Sequence, residues 1–209
     1  MKEFIEIQSW GFNAVIISSA LTMIFTLVQG HGFIKQSQKI WQEKSVASIS
    51  APFFFLFFFF FAAFMYYGWH NRSMAMMFNG LLFLTCLPIV IGIFKFGLLS
   101  SSDKVALILS AIIVPLMIVL ENKDLLLAIL LLISLWVLRS QVMAIYRAKS
   151  VGAVEPRMII IFLFTSAFWL VYSSLIVNWP LLLFNFSAMM LYGLMMYYYM
   201  KYKKQEVLV

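Results

Sequence analysis

Two stretches of this chain, QSQKIWQEKS at residues 36–45 and QVMAIYRAKS at residues 141–150, follow one pattern. In each, a glutamine precedes a Lys-Ser pair by eight residues, and a valine, a short linker, a proline and a long apolar run follow. The glutamines and the Lys-Ser pairs are 105 residues apart, and the prolines, Pro52 and Pro156, are 104 apart. Such an offset is typical of an internal repeat. The chain therefore contains two copies of one structural unit.

The composition indicates that both copies lie in a membrane. Of the 209 residues, 64% are hydrophobic and 11% are charged, whereas soluble domains are about half apolar and about a quarter charged. A helix needs about 20 apolar residues to cross the hydrocarbon core. That length predicts seven spans, at 11–34, 51–69, 74–95, 104–120, 124–145, 157–177 and 180–200. The sequence shows no ATP site, metal cluster or nucleophile constellation, so we expect no enzyme, no cofactor and no metal, and no nucleic-acid partner despite the net charge of +7.

The basic residues predict the orientation of the spans. With the N-terminus outside, 12 of the 15 Lys and Arg residues lie on the cytoplasmic side, and only Lys2, Arg72 and Lys123 lie outside. This asymmetry follows the positive-inside rule and predicts N-out, C-in. Because one span separates two three-helix units, both copies cross in the same direction. The predicted fold is an all-α membrane protein, with parallel three-helix bundles at 1–99 and 122–209 joined by a linker helix at 100–121.

The repeated motif resembles the PQ loop, and the chain is similar to the PQ-loop superfamily, within it the SWEET sugar transporters and their half-length SemiSWEET relatives. The second copy is the closer match, with a proline, a Trp-x-x-Tyr motif, a second proline and an asparagine sixteen residues after the tryptophan; these are Pro156, Trp169, Tyr172, Pro180 and Asn185. The first copy offers Pro52, MYYG at 65–68 and Asn79-Gly80, but has Ala63 where the tryptophan would be. Lys35 and Ser140, rather than prolines, precede the motif glutamines.

The resemblance implies a substrate site made of Asn79, Asn185 and Trp169. The two asparagines are expected at equivalent repeat positions, facing each other across a central cavity. A neutral amide offers two donors and two acceptor lone pairs, which suits vicinal hydroxyls without adding a charge to desolvate. The alternatives are that each asparagine only hydrogen-bonds a neighbouring helix, and that the tryptophan is ordinary core in a chain that is 18% aromatic.

The motif residues themselves form a candidate gate. We expect the glutamines and lysines to belong to the loops at the cytoplasmic ends of spans one and five, where polar contacts would form in one transport state and break in another. The candidate gate residues are Gln36, Lys44, Gln141, Lys149, Pro52 and Pro156. The lysines are equally explained by the positive-inside rule alone.

The scarcity of charge within the spans favours a passive mechanism. Proton-coupled transporters need a carboxylate or histidine inside the membrane, and His31 is the one titratable exception, with interfacial hydrogen bonding as its ordinary interpretation. We therefore predict uniport of a neutral mono- or disaccharide by alternating access, with the sugar and the bilayer as partners, in a plasma membrane. The alternatives are a carrier of an amino acid or vitamin precursor, and a non-transporting seven-helix receptor or sorting protein. Homo-oligomerisation through the fourth span is left open.

Overall fold

The computed structural model describes the backbone of residues 3–207 and the side chains of residues 3–205; Lys2 and the outermost residues of both predicted bundles lie outside this range. Within this range, seven helices are long and apolar enough to cross a membrane, which confirms the predicted number and order. The protein is therefore a multi-pass membrane protein. The helices are α1 (Ile5–Gln8), α2 (Ala14–Glu43), α3 (Ala51–His70), α4 (Met74–Gly80), α5 (Leu82–Phe96), α6 (Ser101–Ala111), α7 (Ile113–Val119), α8 (Lys123–Ala148), α9 (Pro156–Leu175) and α10 (Trp179–Val207). The third span is α4 with α5, and the fourth is α6 with α7.

The first and fifth spans extend further than the sequence predicted. Helix α2 continues to Glu43 and α8 to Ala148, so Gln36 and Gln141 lie inside helices and their predicted placement in loops is wrong. The apolar-length rule stops at the edge of the hydrocarbon, but glutamine, lysine and glutamate are good helix formers that continue the helix into the polar layer. Both helices end at the repeated lysine, whose φ of 48° lies in the left-handed region.

The six helices of the two repeats form a ring. Within each repeat the third helix packs between the first and the second: α4 and α5 lie between α2 and α3, and α10 lies between α8 and α9. Between the repeats, α2 packs on α9 and α3 packs on α8. In each of these interfaces the first helix of one repeat packs on the second helix of the other, as a pseudo-two-fold axis requires. The linker helix, α6 with α7, packs on α3 outside the ring.

Helix α3 is the most buried span because neighbours surround it. Of its eight phenylalanines between 53 and 61, six are at most 5% exposed. The ring pairs Phe53–Phe54 and Phe57–Phe61 meet edge-on, with centroids 4.9 and 5.6 Å apart. Aromatic rings favour such edge-to-face packing. The phenylalanine run is therefore a protein core and not a lipid-facing surface.

Two glycines let α3 and α4 approach closely. A Cβ atom on Gly80 would lie 2.4 Å from the backbone of Met65, and one on Gly68 would lie 2.5 Å from the backbone nitrogen of Met77. Small residues allow this approach in membranes, where packing and hydrogen bonds rather than water drive helix association. The contact holds Asn79, next to Gly80, against the centre of the ring.

Helix α2 carries a polar stripe on its buried face. Its members are at most 7% exposed, and they are Ser18, Ser19, Thr22, Thr26, Gln29, Gln36 and Ser37. The Thr22 hydroxyl donates to the carbonyl of Ser18, and that of Thr26 to the carbonyl of Thr22. Such back-bonding satisfies hydroxyls within one helix. The stripe therefore provides polar groups along the inside of the ring.

Candidate functional site

A narrow cavity lies at the centre of the ring, and all six repeat helices line it. Its volume is about 50 Å³, which is room for a few water molecules and far below the roughly 300 Å³ of a small-molecule pocket. Asn79, Asn185 and Trp169 all face it. The three residues that the resemblance selected are thus brought together, in a conformation too closed to hold a sugar.

Asn79 is held by the polar stripe of α2. Its amide nitrogen donates to the hydroxyl of Thr26 at 3.1 Å and to the side-chain oxygen of Gln29 at 3.5 Å. Gln29 also lines the cavity. The amide therefore links α4 to α2 and also presents a polar group to the cavity. Its position is compatible both with binding substrate and with a hydrogen bond between helices.

Asn185 is oriented differently. Its amide nitrogen donates to the carbonyl of Leu181 at 2.7 Å, one turn earlier in α10. Helices α3 and α9, and likewise α4 and α10, begin 105 residues apart. At that offset Asn185 corresponds to Gly80, and Asn79 to Phe184. The expectation of equivalent repeat positions is therefore wrong by one residue, although both asparagines reach the same cavity.

Trp169 has an aromatic partner in the first repeat. The 105-residue offset relates it to Phe64, and their ring centroids lie 6.0 Å apart at 64°. Tyr172 packs edge-on against the same indole, with centroids 5.7 Å apart. The aromatic group sought at Ala63 in the first repeat is thus supplied by the next residue. The rings of Phe64 and Trp169 both line the cavity.

One end of the ring is closed by a reciprocal pair of glutamine contacts, which we call the glutamine latch. The Gln36 side chain donates to the carbonyl of Ala153 at 2.7 Å and accepts from the N–H of Glu155 at 2.9 Å. Gln141 makes the same two bonds to the other loop, which are its donation to the carbonyl of Ser48 at 3.0 Å and its acceptance from the N–H of Ser50 at 2.8 Å. Each repeat therefore holds the loop of the other. We call this the loop end.

The two loops also contact each other directly. The N–H of Ala153 donates to the carbonyl of Ala47 at 3.0 Å, and a Cβ atom on Gly152 would lie 2.6 Å from that same oxygen. Gly152 has a φ of +46°, which a residue without Cβ adopts easily. The Ser50 and Ser140 hydroxyls hydrogen-bond at 2.7 Å. The loop end is thus closed by backbone and side-chain contacts together.

The other candidate gate residues shape the loops. Lys44 and Lys149 are exposed C-caps, whose backbone N–H groups bond Ile40 and Ile145. Left-handed C-caps of this kind end helices. Pro52 and Pro156 lie in the first turns of α3 and α9, where the missing N–H is not needed. These four residues set where the helices end and begin around the latch.

The opposite end is closed by the buried carboxylate of Glu6, a residue that the sequence did not single out. Glu6 is 5% exposed, and its oxygens accept from the N–H groups of Met74 and Ala75 at 2.9 and 3.1 Å. The hydroxyls of Ser73 and Tyr172 lie 3.2 and 3.4 Å from it. A carboxylate at a helix N-terminus is favoured by the unpaired N–H groups and the helix dipole. Glu6 therefore ties the short helix α1 to α4 and to α9.

A second tyrosine–acid contact mirrors the first. The Tyr67 hydroxyl donates to the carboxylate of Asp124 at 2.6 Å. Tyr67 and Tyr172 are 105 residues apart, and each bonds an acid that belongs to the other repeat, Asp124 or Glu6. We call these the tyrosine–acid pairs, and their side of the ring the Glu6 end. Both ends of the cavity are thus closed by reciprocal bonds between the repeats.

Comparison with known proteins was made by sequence and by structure. Neither a protein-family model nor a curated protein sequence matches the chain. Among solved structures it is similar to a eukaryotic SWEET transporter, with a TM-score of 0.57 over 91% of this chain and 97% of that chain. The chain has the fold of a SWEET transporter. The two sequences are 16% identical, so the likeness establishes the fold and leaves the cargo to be argued from the site.

Some residues that line or close the cavity of this SWEET fold were not predicted, although the sequence carries a signal for them. The hydroxyls of α2 recur every three or four residues in an apolar helix, which indicates one polar face. Tyr67 and Tyr172 share the 105-residue offset of the motif glutamines. Glu6 had no such signal, because only the folded N-terminus brings it to Met74.

Proposed function

We propose that this protein is a SWEET-like uniporter, which moves a neutral mono- or disaccharide across a membrane by alternating access. The observation that carries the proposal is the central cavity, which lies between two parallel repeats and presents Asn79, Asn185 and Trp169. Substrate sites of parallel-repeat transporters lie at such a repeat interface. The solved structure with the same fold is that of a transporter.

The closures at the two ends supply the gates that alternating access requires. At the loop end the two units are joined by the glutamine latch, and at the Glu6 end by the tyrosine–acid pairs. If the two units rock about the cavity, the bonds at one end break while the bonds at the other end stay formed. The inward-open and outward-open states then differ in their contacts, as alternating access requires. The present conformation has both sets formed and a narrow cavity, as expected of a closed intermediate.

The orientation and membrane follow the sequence prediction. The loop end, with the repeated lysines, would face the cytoplasm, and the Glu6 end would face outward, in a plasma membrane. The chemistry of the cavity suits a neutral cargo, because its polar lining consists of amides and hydroxyls from residues such as Gln29, Thr165 and Ser166. Uncharged groups of this kind bind hydroxyls without a charge to desolvate.

The test is uptake of radiolabelled glucose and sucrose into proteoliposomes containing the full chain. Replacing Asn79 or Asn185 by alanine should abolish uptake, while the variants keep the wild-type melting temperature in detergent within a few degrees. Asn178→Ser is the matched control on α10, because Asn178 caps the helix through its side-chain oxygen at 3.1 Å from the N–H of Leu181 and serine can replace that cap. Wild-type uptake in both alanine variants would exclude the asparagine site.

A second arm tests the passive mechanism. Uptake should equilibrate the sugar and should not respond to an imposed pH gradient, since no acid and no histidine is among the described residues that line the cavity. Accumulation above the external concentration, driven by protons, would contradict uniport. Loss of that accumulation in a His31→Gln variant would then assign the coupling to His31.

A second cargo class is favoured by one feature of the cavity. Half of its lining residues are aromatic, and they are Phe57, Phe60, Phe61, Phe64, Phe162, Trp169, Phe184 and Tyr192. Such a lining would stack a planar ring, as in an aromatic amino acid or a nicotinamide nucleoside. Thermal shift in detergent with sugars, amino acids and nucleosides separates these classes, and a chain that transports none of them in vesicles would be a receptor or sorting protein.

A further inference from the structure

A separate groove of about 460 Å³ lies at the loop end, outside the ring. One wall is a stripe of α8 that contains Trp136, Arg139, Met143 and Arg147, at spacings that repeat on one helix face. The other wall is the turn at 97–103 between α5 and α6, and the floor is the start of α3. The groove exists because the linker helix and α8 both pack on α3 and leave a space between them. We call it the arginine groove.

The charges of the groove do not cancel. Arg139 and Arg147 are exposed, and neither takes part in the two ion pairs found among residues 3–205. The acid in the lining is Asp103. Its carboxylate already accepts from the N–H and the hydroxyl of Ser100, at 2.9 and 2.7 Å, as the capping box of α6. The two arginines and Asp103 together give the lining a net charge of +1. The forked N–H donors of the guanidinium groups match the oxygens of a phosphate.

The rim of the groove is apolar. Trp136 lies beneath the Arg139 guanidinium, 5.2 Å from it, and is 71% exposed. Leu132, one turn deeper in α8, is 69% exposed, and Leu98 in the opposite wall is fully exposed. Exposed apolar side chains in a membrane protein face lipid, and tryptophan is enriched at the level of the headgroups. An occupant must therefore combine an anionic group with hydrocarbon.

The depth of the two arginines agrees with this chemistry. They are eight residues apart in α8, which is about 12 Å along the helix axis. The polar headgroup layer of one leaflet is about 5–8 Å thick. The two backbone positions are therefore further apart than this layer is thick, but arginine side chains are long enough to bring both guanidinium groups to one phosphate within it.

We propose that the arginine groove binds the phosphate of an anionic phospholipid, whose acyl chains lie along the exposed apolar side chains beside it. The proposal does not depend on transport, since none of the groove's arginines lines the central cavity. Basic residues near a membrane surface contribute roughly a fivefold gain in affinity each. Removing both should weaken binding about 25-fold.

The test measures the melting temperature of the purified full chain in detergent, with phosphatidylglycerol added over a range of mole fractions. We expect a saturable rise that an equal amount of phosphatidylcholine does not produce, because ligand that binds the folded state stabilises it. In the Arg139→Gln/Arg147→Gln variant, the midpoint should move about 25-fold higher. The matched control is Lys201→Gln/Lys204→Gln, which removes the same charge from exposed positions of α10 and should leave the midpoint within threefold.

Three results would overturn the assignment. They are equal stabilisation by the two lipids, an unchanged midpoint in the double arginine variant, and an equal shift of the midpoint in the control variant. Glycerol 3-phosphate at the same concentrations separates the two sources of phosphate: stabilisation equal to that by phosphatidylglycerol would show a site for soluble anions instead of lipid. If the double variant does not fold, Arg147→Gln alone, at the exposed end of α8, should still move the midpoint about fivefold.

Discussion

Breaking the glutamine latch should open the loop end by an amount that can be estimated from its bonds. Each motif glutamine is 0% exposed and makes two hydrogen bonds of 2.7–3.0 Å to the loop of the other repeat. A hydrogen bond contributes about 1 kcal/mol net, and water would satisfy the same backbone groups once the end is open. Replacing Gln36 or Gln141 by alanine should therefore shift the equilibrium toward the open form by about 2 kcal/mol, which is about 30-fold.

The assay is the rate at which a cysteine in the central cavity reacts with a water-soluble maleimide. Ser166 lines the cavity and is 6% exposed, so Ser166→Cys reports opening with little change in volume. The natural Cys86 is buried and is replaced by alanine in all proteins. When opening is rare and fast, the labelling rate is proportional to the open fraction. Melting temperatures in detergent establish that each variant is folded.

Both single variants should label about 30-fold faster than the parent and within about threefold of each other, since the two halves of the latch make equivalent bonds. Gln38→Ala is the matched control, because Gln38 is exposed on the same helix as Gln36 and should leave the rate unchanged. Labelling of both latch variants at the parent rate would show that the glutamine bonds do not hold the loop end closed. Equal acceleration by Gln38→Ala would show the same, because that side chain takes no part in the latch.

Two further predictions concern the Glu6 end and the packing of α4. Glu6→Gln removes the charge at the start of α4 and should raise the rate of Ser166→Cys labelling about tenfold. If Tyr172 acts through its hydrogen bond to Glu6, adding Tyr172→Phe to the Glu6→Gln variant should raise the rate little further. Additive effects of the two changes would contradict the pair. Gly80→Ala places a Cβ atom 2.4 Å from the backbone of Met65 and should destabilise the protein by about 1–3 kcal/mol. Gly193→Ala, with no atom within 4 Å, should stabilise α10 by up to about 1 kcal/mol, and equal melting temperatures of these two variants would contradict the packing.

The seven spans were predictable because they depend on a one-dimensional property. Apolar length decides whether a segment can cross the hydrocarbon core, and charged or turn-forming residues such as Asn71-Arg72 and Glu121–Asp124 interrupt it. The asparagines and Trp169 were reached through the resemblance, and the structure places all three at one cavity. The sequence predicted the relative positions of Asn79 and Asn185 in the two repeats only to within one residue. Matching asparagine to asparagine aligns the repeats differently from matching the helix ends, and the helix ends were not known from the sequence.

The gate residues show where sequence reasoning stops. The repeat of Gln36 at Gln141 was visible, but their partners are the backbone groups of Ala153 and Ser48, which no side-chain pattern identifies. Nothing in the sequence singled out Glu6. Its burial follows from the unpaired N–H groups at the start of α4, to which α1 brings it.

The sequence by itself determined that this is a membrane protein, how often it crosses the bilayer and that its two repeats run in parallel. The first follows from composition, the second from the lengths of the apolar segments and the third from the offset between the repeated motifs. The tertiary structure decided which side of each helix faces the cavity. In a bilayer, lipid and protein interior are equally apolar, so hydrophobicity does not distinguish them. The phenylalanines of α3 lie in the core while Leu132 and Trp136 of α8 lie on the outside. Only the neighbouring helices make that difference, and with it the cavity between the two repeats.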